Sequence, residues 1–220
     1  MIKTVIFDMD GLMFDTEHLT SNAWIQIGIS HGIPISESVM NRMRGLPLDQ
    51  CIRIFKEELG EAFDYWTYRR ERTEYVDQWI REHGMPIKPG LEELLGWLRD
   101  QKYGIALATS TYQASADRFL DLAGVSAYFQ YRIYGDMVEH GKPAPDIFLL
   151  AAQKAGTLPQ QCLVLEDSYA GVEAGWKAGM QVIMVPDMLP PTQREYERIS
   201  LCAETLWDVI PFLRKDQRDS

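Results

Sequence analysis

Cysteine is scarce in this chain. It occurs three times among 220 residues, at positions 51, 162 and 202, with no C-x-x-C pair. An odd number of widely spaced cysteines argues against a disulfide framework, and the missing pairs argue against a zinc site. The four histidines show no metal-ligand spacing either. We therefore expect reduced cysteines and a cytoplasmic protein.

Long apolar runs are also missing. No stretch approaches the ~18 consecutive apolar residues that a membrane span needs. The opening residues, MIKTVIFD, lack the apolar run of a secretory signal. We expect no membrane partner.

Basic residues are in deficit, because 22 Lys and Arg face 32 Asp and Glu and give a net charge of −10. This balance disfavours a nucleic-acid partner, since phosphate backbones are bound by clustered Lys and Arg. It remains compatible with a small anionic substrate, because one cation at a site can reverse the local field. We expect a small-molecule partner, no nucleic acid, and a monomeric chain.

Five short apolar runs are present and predict buried strands. They are TVIF (4–7), GIALAT (104–109), YRIYG (131–135), CLVLE (162–166) and QVIMV (181–185). Helical patterns alternate with them at 91–102, 113–124, 144–156 and 169–179. Such alternation is typical of a parallel sheet. The predicted fold class is α/β, with a Rossmann-like parallel sheet as its core.

Residues 16–84 interrupt this alternation and contain no convincing strand. Leu19, Ala23 and Ile27 are spaced four apart, which indicates a helix. Later segments of the same stretch have helical patterns that end at a glycine. We expect a catalytic core of residues 1–15 and 85–220 and an inserted α-helical cap domain of residues 16–84. The residues leave open whether the helices merely pack on the core or close over a site.

Carboxylates gather at the predicted strand ends. Asp8 and Asp10 are two apart after the first strand, so their side chains point the same way and repel unless a proton or a cation intervenes. Glu166 and Asp167 form a second acidic pair at the end of the fourth strand. Ligands of open parallel sheets bind at these carboxyl ends. Hard oxygen ligands from two strands suit Mg²⁺, although acids after strands are also common as turn formers and helix caps.

Two further groups could serve an anion. Thr109 and Ser110 lie in ATST, before a predicted helix, where hydroxyl and backbone N–H groups can bind a phosphate or simply cap the helix. Lys142 lies in a turn, where a lone lysine is usually solvated. Beside four acids and a phosphate it would supply the fixed positive charge that they need. Together these groups describe phosphoryl transfer through an attacking aspartate.

Four motifs carry a resemblance to a known family. FDMDGLMFDTE, ALATST, GKPAPDIF and LEDSYAGVEAGWKAGM resemble, in order and spacing, the motifs of the haloacid dehalogenase-like hydrolase superfamily. The chain is most similar to its phosphatases and β-phosphoglucomutases with a helical cap inserted after the first motif. The resemblance implies a magnesium-dependent phosphatase that hydrolyses a small phosphorylated metabolite, such as a sugar phosphate, through an aspartyl-phosphate.

The resemblance also implies roles for the acidic residues. Asp8 would be the nucleophile, and Asp10 would be the general acid and then the general base. The metal site would comprise Asp8, the backbone carbonyl of Asp10, and Asp167, with Glu166 as a further ligand or as a partner behind the ligands.

The remaining roles concern the phosphate. By the resemblance, Thr109 would bind the phosphoryl group through its hydroxyl and Ser110 through its backbone N–H. Lys142 would orient Asp8 and neutralise the phosphate. The specificity loop of the cap would fall at residues 43–49.

Departures from the family pattern separate the possible activities. Asp10 argues against dehalogenation, in which halide leaves without protonation. Residues 16–31 contain no lysine, which argues against phosphonatase chemistry. The β-phosphoglucomutases carry a histidine where this chain has Thr20, and an arginine where it reads Pro47-Leu48. Hydrolysis is therefore expected, with a sugar phosphomutase as the alternative.

A phospho-accepting signalling module also gathers acids, a hydroxyl and a lysine at sheet ends, but such modules are near half this length and place the phospho-acceptor mid-chain. Within the expected cap, Trp24, Met43 and Leu46 either line the substrate side or belong to the core of the cap.

Overall fold

The chain divides into two compact units in a computed structural model that describes residues 1–44 and 48–218. The first unit comprises Met1–Asp15 and Ile87–Ser220, and the second is Thr16–Pro86.

The first unit is built on a six-stranded parallel sheet. Its strands are β1 (Thr4–Phe7), β2 (Gly104–Ala108), β3 (Tyr131–Ile133), β4 (Cys162–Glu166), β5 (Gln181–Met184) and β6 (Leu201–Cys202). The strand order is β3-β2-β1-β4-β5-β6. The first strand of the chain therefore lies inside the sheet, with Thr4 beside both Gly104 and Cys162. The predicted parallel α/β core is confirmed.

Ten α-helices occur in the described ranges. They are α1 (Thr16–His31), α2 (Glu37–Met43), α3 (Leu48–Leu59), α4 (Tyr65–His83), α5 (Leu91–Asp100), α6 (Gln113–Leu122), α7 (Asp146–Lys154), α8 (Tyr169–Lys177), α9 (Gln193–Tyr196) and α10 (Val209–Arg218). None of the helices within the described residues is both long and apolar enough to span a membrane.

Helices cover both faces of the sheet. Successive side chains of a strand point to opposite faces, so apolar strands place apolar side chains on both faces, and each face has to be covered. Ile6 and Val164 pack with Phe148 of α7 and Val172 of α8 in one buried cluster. Helices α5 and α10 contact each other, and α5 also contacts β2. Both faces are therefore apolar, which is why the strands read as continuous apolar runs.

The second unit consists of α1 to α4 around an aromatic core. The Trp24 ring lies 4.7 Å from Phe55 and 5.5 Å from Tyr65, measured between ring centroids. Trp24 is 3% exposed and Met43 is 7% exposed, and both belong to this core. For these two residues the structure decides in favour of the core rather than the substrate side. Leu46 and Pro47, in the expected specificity loop, lie outside the described residues.

Candidate active site

The sheet register brings the sequence motifs to one edge. Phe7 in β1 is paired with Leu107 in β2 and with Leu165 in β4, so the C-terminal ends of these three strands lie side by side. Asp8 and Glu166 stand at this edge. Both side chains are buried, which is unusual for carboxylates without a charge partner.

Lys142 is the charge partner. Its Nζ donates hydrogen bonds to Asp8 Oδ1, to Glu166 Oε1 at 2.6 Å and to the carbonyl oxygen of Ala108 at 3.2 Å. The ammonium also lies 4.9 Å from the centroid of the Phe148 ring. Burial alone would lower the pKa of Lys142, but Asp8 and Glu166 together raise it above its ordinary value. Lys142, from the GKPAPDIF motif, is thus a fixed cation that contacts Asp8 of the FDMDGLMFDTE motif and Glu166 of the LEDSYAGVEAGWKAGM motif.

The pKa of Asp8 is raised from 3.8 to about 7 by its surroundings as a whole. Burial is the largest influence, Lys142 opposes the rise, and the carboxylates of Glu166 and Asp10 add to it. A second cation close to Asp8 would lower this pKa, because a nearby positive charge favours the ionised carboxylate, which is the form that can act as a nucleophile.

Both oxygens of the Glu166 carboxylate accept hydrogen bonds within the protein. One oxygen accepts from Lys142, and the other accepts from the backbone N–H groups of Asp167 and Ser168, both at 3.0 Å, and from the Ser168 hydroxyl at 2.9 Å. Gly171, in the first turn of α8, makes room for it, since a Cβ there would overlap the carboxylate. Ser168 also caps α8 by accepting from Gly171 N–H, as its sequence position predicts.

Three acidic side chains form a group that can hold a cation. Asp8, Glu166 and Asp167 each offer an oxygen, and these oxygens lie within 4.8 Å of one another. The turn at Gly11 presses against Asp167, because a Cβ on Gly11 would overlap its Oδ2, and Gly11 has a φ of +82°. Carboxylate oxygens gathered beside a glycine turn suit a hard divalent cation. The Asp10 side chain is not part of this group among the described residues.

The segment after β2 has the features of an anion-binding loop. Thr109 is buried, and its Oγ1 accepts from the backbone N–H of Thr111 at 3.0 Å. Ser110 is exposed at the same edge. The turn after β3 supports this loop, since Gly135 N–H donates to the Thr111 carbonyl at 3.2 Å and a Cβ on Gly135 would overlap the Ser110 carbonyl.

Sequence reasoning missed several residues around the site. The Thr111 hydroxyl donates to Asp10 Oδ2 at 2.7 Å. Its place in the ATST stretch, beside Thr109 and Ser110, was the available signal. The roles of Gly135 and Gly171 are visible only in the structure, where the absence of a Cβ lets the Ser110 carbonyl approach Gly135 and the Glu166 carboxylate approach Gly171.

The missed residues also include an ion pair, in which Lys88 Nζ donates to Asp187 Oδ1 at 2.6 Å. Lys88 N–H further donates to the Met13 carbonyl in the turn after β1 at 2.9 Å. Asp187 follows β5 at the same edge, so its position after an apolar run was an available signal.

Comparisons with known proteins agree with this geometry. A model of the haloacid dehalogenase-like hydrolase family matches residues 5–185. A phosphorylated carbohydrates phosphatase from Thermotoga maritima is 33% identical over 186 residues, which cover 83% of this chain and 84% of the relative. The fructose-1-phosphate phosphatase YqaB from Escherichia coli is 33% identical over 181 residues, covering 82% of this chain and 95% of the relative.

A solved structure points the same way. A crystal structure from Thermotoga maritima, described as a candidate β-phosphoglucomutase, matches with a TM-score of 0.83 and 30% identity, covering 97% of this chain and 99% of the other. The α/β core, the four motifs in one buried site and these relatives together lead to one conclusion: the chain belongs to the haloacid dehalogenase-like hydrolase family and is a hydrolase of its phosphatase branch.

Proposed function

We propose that the protein is a magnesium-dependent phosphatase that hydrolyses a small phosphorylated metabolite through an aspartyl-phosphate on Asp8. The observation that carries the proposal is the buried contact of Lys142 with both Asp8 and Glu166. This contact leaves Asp8 beside a fixed cation and beside the loop of Thr109 and Ser110. A sugar phosphate is the proposed substrate class, since similar proteins include a phosphorylated carbohydrates phosphatase and a fructose-1-phosphate phosphatase.

Asp8 is the proposed nucleophile. Its carboxylate oxygen forms a bond to phosphorus while the bond from phosphorus to the ester oxygen breaks. Lys142 orients the carboxylate and offsets the negative charge of the approaching phosphate. Glu166, with both oxygens already accepting hydrogen bonds, acts behind the reacting groups by holding Lys142 in place.

Asp10 is the proposed general acid and base. It gives a proton to the departing ester oxygen, and as a carboxylate it then takes a proton from the water that hydrolyses the aspartyl-phosphate. Proton donation matters for a sugar phosphate, because an alkoxide is a poor leaving group.

Thr109 and Ser110 are the proposed phosphoryl-binding residues. The Thr109 hydroxyl accepts from Thr111 N–H, so its own proton remains to be donated to a phosphoryl oxygen. The Ser110 backbone N–H would donate to a second one. Donors placed in this way stabilise the charge that develops during transfer.

Mg²⁺ is the proposed cofactor, held by the Asp8 and Asp167 carboxylates and the Asp10 backbone carbonyl. When bound, it would screen the repulsion between Asp8 and the phosphate and would favour the ionised form of Asp8. The Gly11 turn against Asp167 supports this assignment, since it brings backbone close to the carboxylate group.

The helical unit is proposed to act as the cap, with residues 16–84 as its extent. A cap would exclude water from the phosphoryl transfer and would contribute contacts to the rest of the substrate. The fold supports the proposal in that Thr16–Pro86 forms a unit with its own core.

The proposal is tested with Asp8→Asn and a panel of phosphorylated metabolites. We expect Mg²⁺-dependent release of phosphate from the wild type, lost on chelation, and a fall of at least about 10³-fold in Asp8→Asn. Asp121→Asn, an exposed change on α6, is the matched control and should keep full activity. Appreciable residual activity in Asp8→Asn, well above that level, would remove Asp8 as nucleophile. A stable aspartyl-phosphate without turnover would instead indicate a signalling module.

A sugar phosphomutase is the second candidate, favoured by the likeness to the candidate β-phosphoglucomutase structure. Thr20 speaks against it, since mutases of this family carry a histidine at that place. The test is to supply glucose 1-phosphate with a bisphosphate primer. Formation of glucose 6-phosphate faster than release of phosphate would establish the mutase.

A further inference from the structure

Thr111 stands between two groups of the proposed site, and its side chain has no role in the function proposed above. Its hydroxyl donates to Asp10 Oδ2 at 2.7 Å, and its backbone N–H donates to Thr109 Oγ1 at 3.0 Å. The first bond joins residues that are 101 positions apart in the sequence. One residue therefore contacts both the phosphoryl-binding hydroxyl and the acid.

The backbone of Thr111 is itself fixed. Its carbonyl accepts from Gly135 N–H at 3.2 Å, in the turn after β3. A Cβ on Gly135 would overlap the Ser110 carbonyl, so this turn leaves the loop little room to move. Because the backbone is held on both sides, the hydroxyl of Thr111 reaches Asp10 from a defined direction.

We propose that Thr111 is a positioning residue for the general acid, which keeps the Asp10 carboxyl oriented toward the ester oxygen of a bound phosphate. The inference rests on the proposed function, since it needs Asp10 to donate a proton. As Asp8 forms its bond to phosphorus, the ester oxygen takes the electron pair of the breaking bond together with the proton of Asp10. The Thr111 hydroxyl donates to the carboxylate that remains, so the same hydrogen bond serves before and after the transfer.

This role makes a prediction that depends on the leaving group. p-Nitrophenolate leaves readily without a proton, whereas the alkoxide of an alkyl ester needs one. A misplaced Asp10 should therefore harm alkyl phosphates and spare p-nitrophenyl phosphate. The value of kcat/KM is the suitable measure, because it reports the steps up to phosphoryl transfer and leaves out the later hydrolysis.

The experiment compares Thr111→Val with Thr111→Ser. Valine keeps the branched shape and the backbone N–H but removes the hydroxyl, whereas serine keeps the hydroxyl. For Thr111→Val we expect kcat/KM to fall about 10- to 100-fold with glycerol 2-phosphate, a part of what a general acid contributes, and less than about 3-fold with p-nitrophenyl phosphate. Thr111→Ser should restore most of the loss. Inhibition by inorganic phosphate should stay unchanged in both variants.

A merely structural role gives a different result. Equal losses on both substrates, or weaker inhibition by inorganic phosphate, would mean that Thr111 only supports the phosphate loop, and this would overturn the inference. Asp10→Asn, measured in parallel, distinguishes a failure of the role proposed for Thr111 from a failure of the role proposed for Asp10 as general acid. If Asp10→Asn discriminates between the two leaving groups and Thr111→Val does not, the role of Thr111 fails while the proposed function stands. If Asp10→Asn itself does not discriminate, the proposed acid is wrong and the inference fails with it.

Discussion

At the scale of single residues, burial of Asp8 makes stability depend on pH. The folded, metal-free protein raises the pKa of Asp8 from 3.8 to about 7, mainly by burial, so the folded state binds the proton more tightly than the unfolded chain. The resulting stabilisation is fully present at pH values below the pKa of Asp8 in the unfolded chain, and it is lost as the pH rises through the folded-state pKa of about 7.

We therefore expect metal-free wild type to lose stability relative to Asp8→Asn between about pH 4 and pH 7. The measurement is the free energy of unfolding in urea with a chelator present, for wild type, Asp8→Asn and the control Asp121→Asn. Parallel pH profiles for wild type and Asp8→Asn would contradict the expectation. Added Mg²⁺ should reduce the difference, because a bound cation favours ionised Asp8.

A second prediction at this scale concerns Gly171, which lies in the first turn of α8. Helix propensity alone favours alanine over glycine by about 1 kcal/mol. The Cβ of Gly171→Ala would overlap the Glu166 carboxylate, which must then shift away from Lys142. We expect a net loss of about 1–3 kcal/mol in unfolding free energy and a fall in kcat.

Gly96→Ala is the matched control for this change. Gly96 lies inside α5, and a Cβ there meets nothing within 4 Å. This variant should gain up to about 1 kcal/mol of stability. A gain of the same size in Gly171→Ala would show that Glu166 does not need the space.

At the scale of elements, the ion pair of Lys88 and Asp187 joins the segment before α5 to the end of β5. The Asp187 side chain is 1% exposed and that of Lys88 is 20% exposed. Removal of one partner from a buried pair typically costs about 3–5 kcal/mol, and the partial exposure of Lys88 should lower that figure. We expect Lys88→Met to be destabilising and Lys88→Met with Asp187→Leu to recover part of the loss, as measured by urea unfolding. A double variant as unstable as the sum of both single variants would contradict the pairing.

The same scale shows which elements the sequence could predict. Strands β1, β2 and β4 were predictable, because both faces of the sheet are covered and these strands are almost entirely buried and mostly apolar. The flanking strands β3 and β5 were predicted from weaker patterns, since β3 contains Arg132 and β5 begins with Gln181. Strand β6 was missed, since two half-buried residues give no periodicity. Helix α9, with four residues, was missed for the same reason.

The residues of the site that lie in local motifs were also predictable, whereas contacts between distant loops were not. Asp8, Glu166 and Lys142 belong to local motifs, and their meeting follows from the order of parallel strands. The bond from Thr111 to Asp10 and the pair of Lys88 with Asp187 join residues about 100 positions apart. Their partners depend on how the loops lie in space, which local spacing does not encode.

At the scale of the whole molecule, the helical unit enters and leaves the α/β unit at neighbouring points. Phe14 forms an antiparallel bridge with Ile87, and Lys88 N–H donates to the Met13 carbonyl. Chain ends that lie this close can be joined directly. We expect a variant in which a short Gly-Ser linker replaces residues 16–86 to remain folded, because Met1–Asp15 and Ile87–Ser220 form a compact unit that contains a buried cluster of its own.

Circular dichroism and cooperative unfolding of that variant are the measurements. If the helical unit is the cap, p-nitrophenyl phosphate should still be hydrolysed while activity on the best metabolite substrate falls much further. An aggregated or unfolded product would contradict the independence of the α/β unit.

The position of β1 inside the sheet also has a consequence for synthesis on the ribosome. Thr4 is paired with Gly104 and with Cys162, so β1 waits for 100 residues of synthesis before its nearer neighbour in the sequence exists. At roughly 5–20 residues per second this wait lasts about 5–20 s, and the second neighbour comes later still. The helical unit, complete by Pro86, can acquire its own core during this interval. The apolar strand β1 thus stays unpaired in the nascent chain during this interval, and it is then accessible to chaperones that bind extended apolar segments.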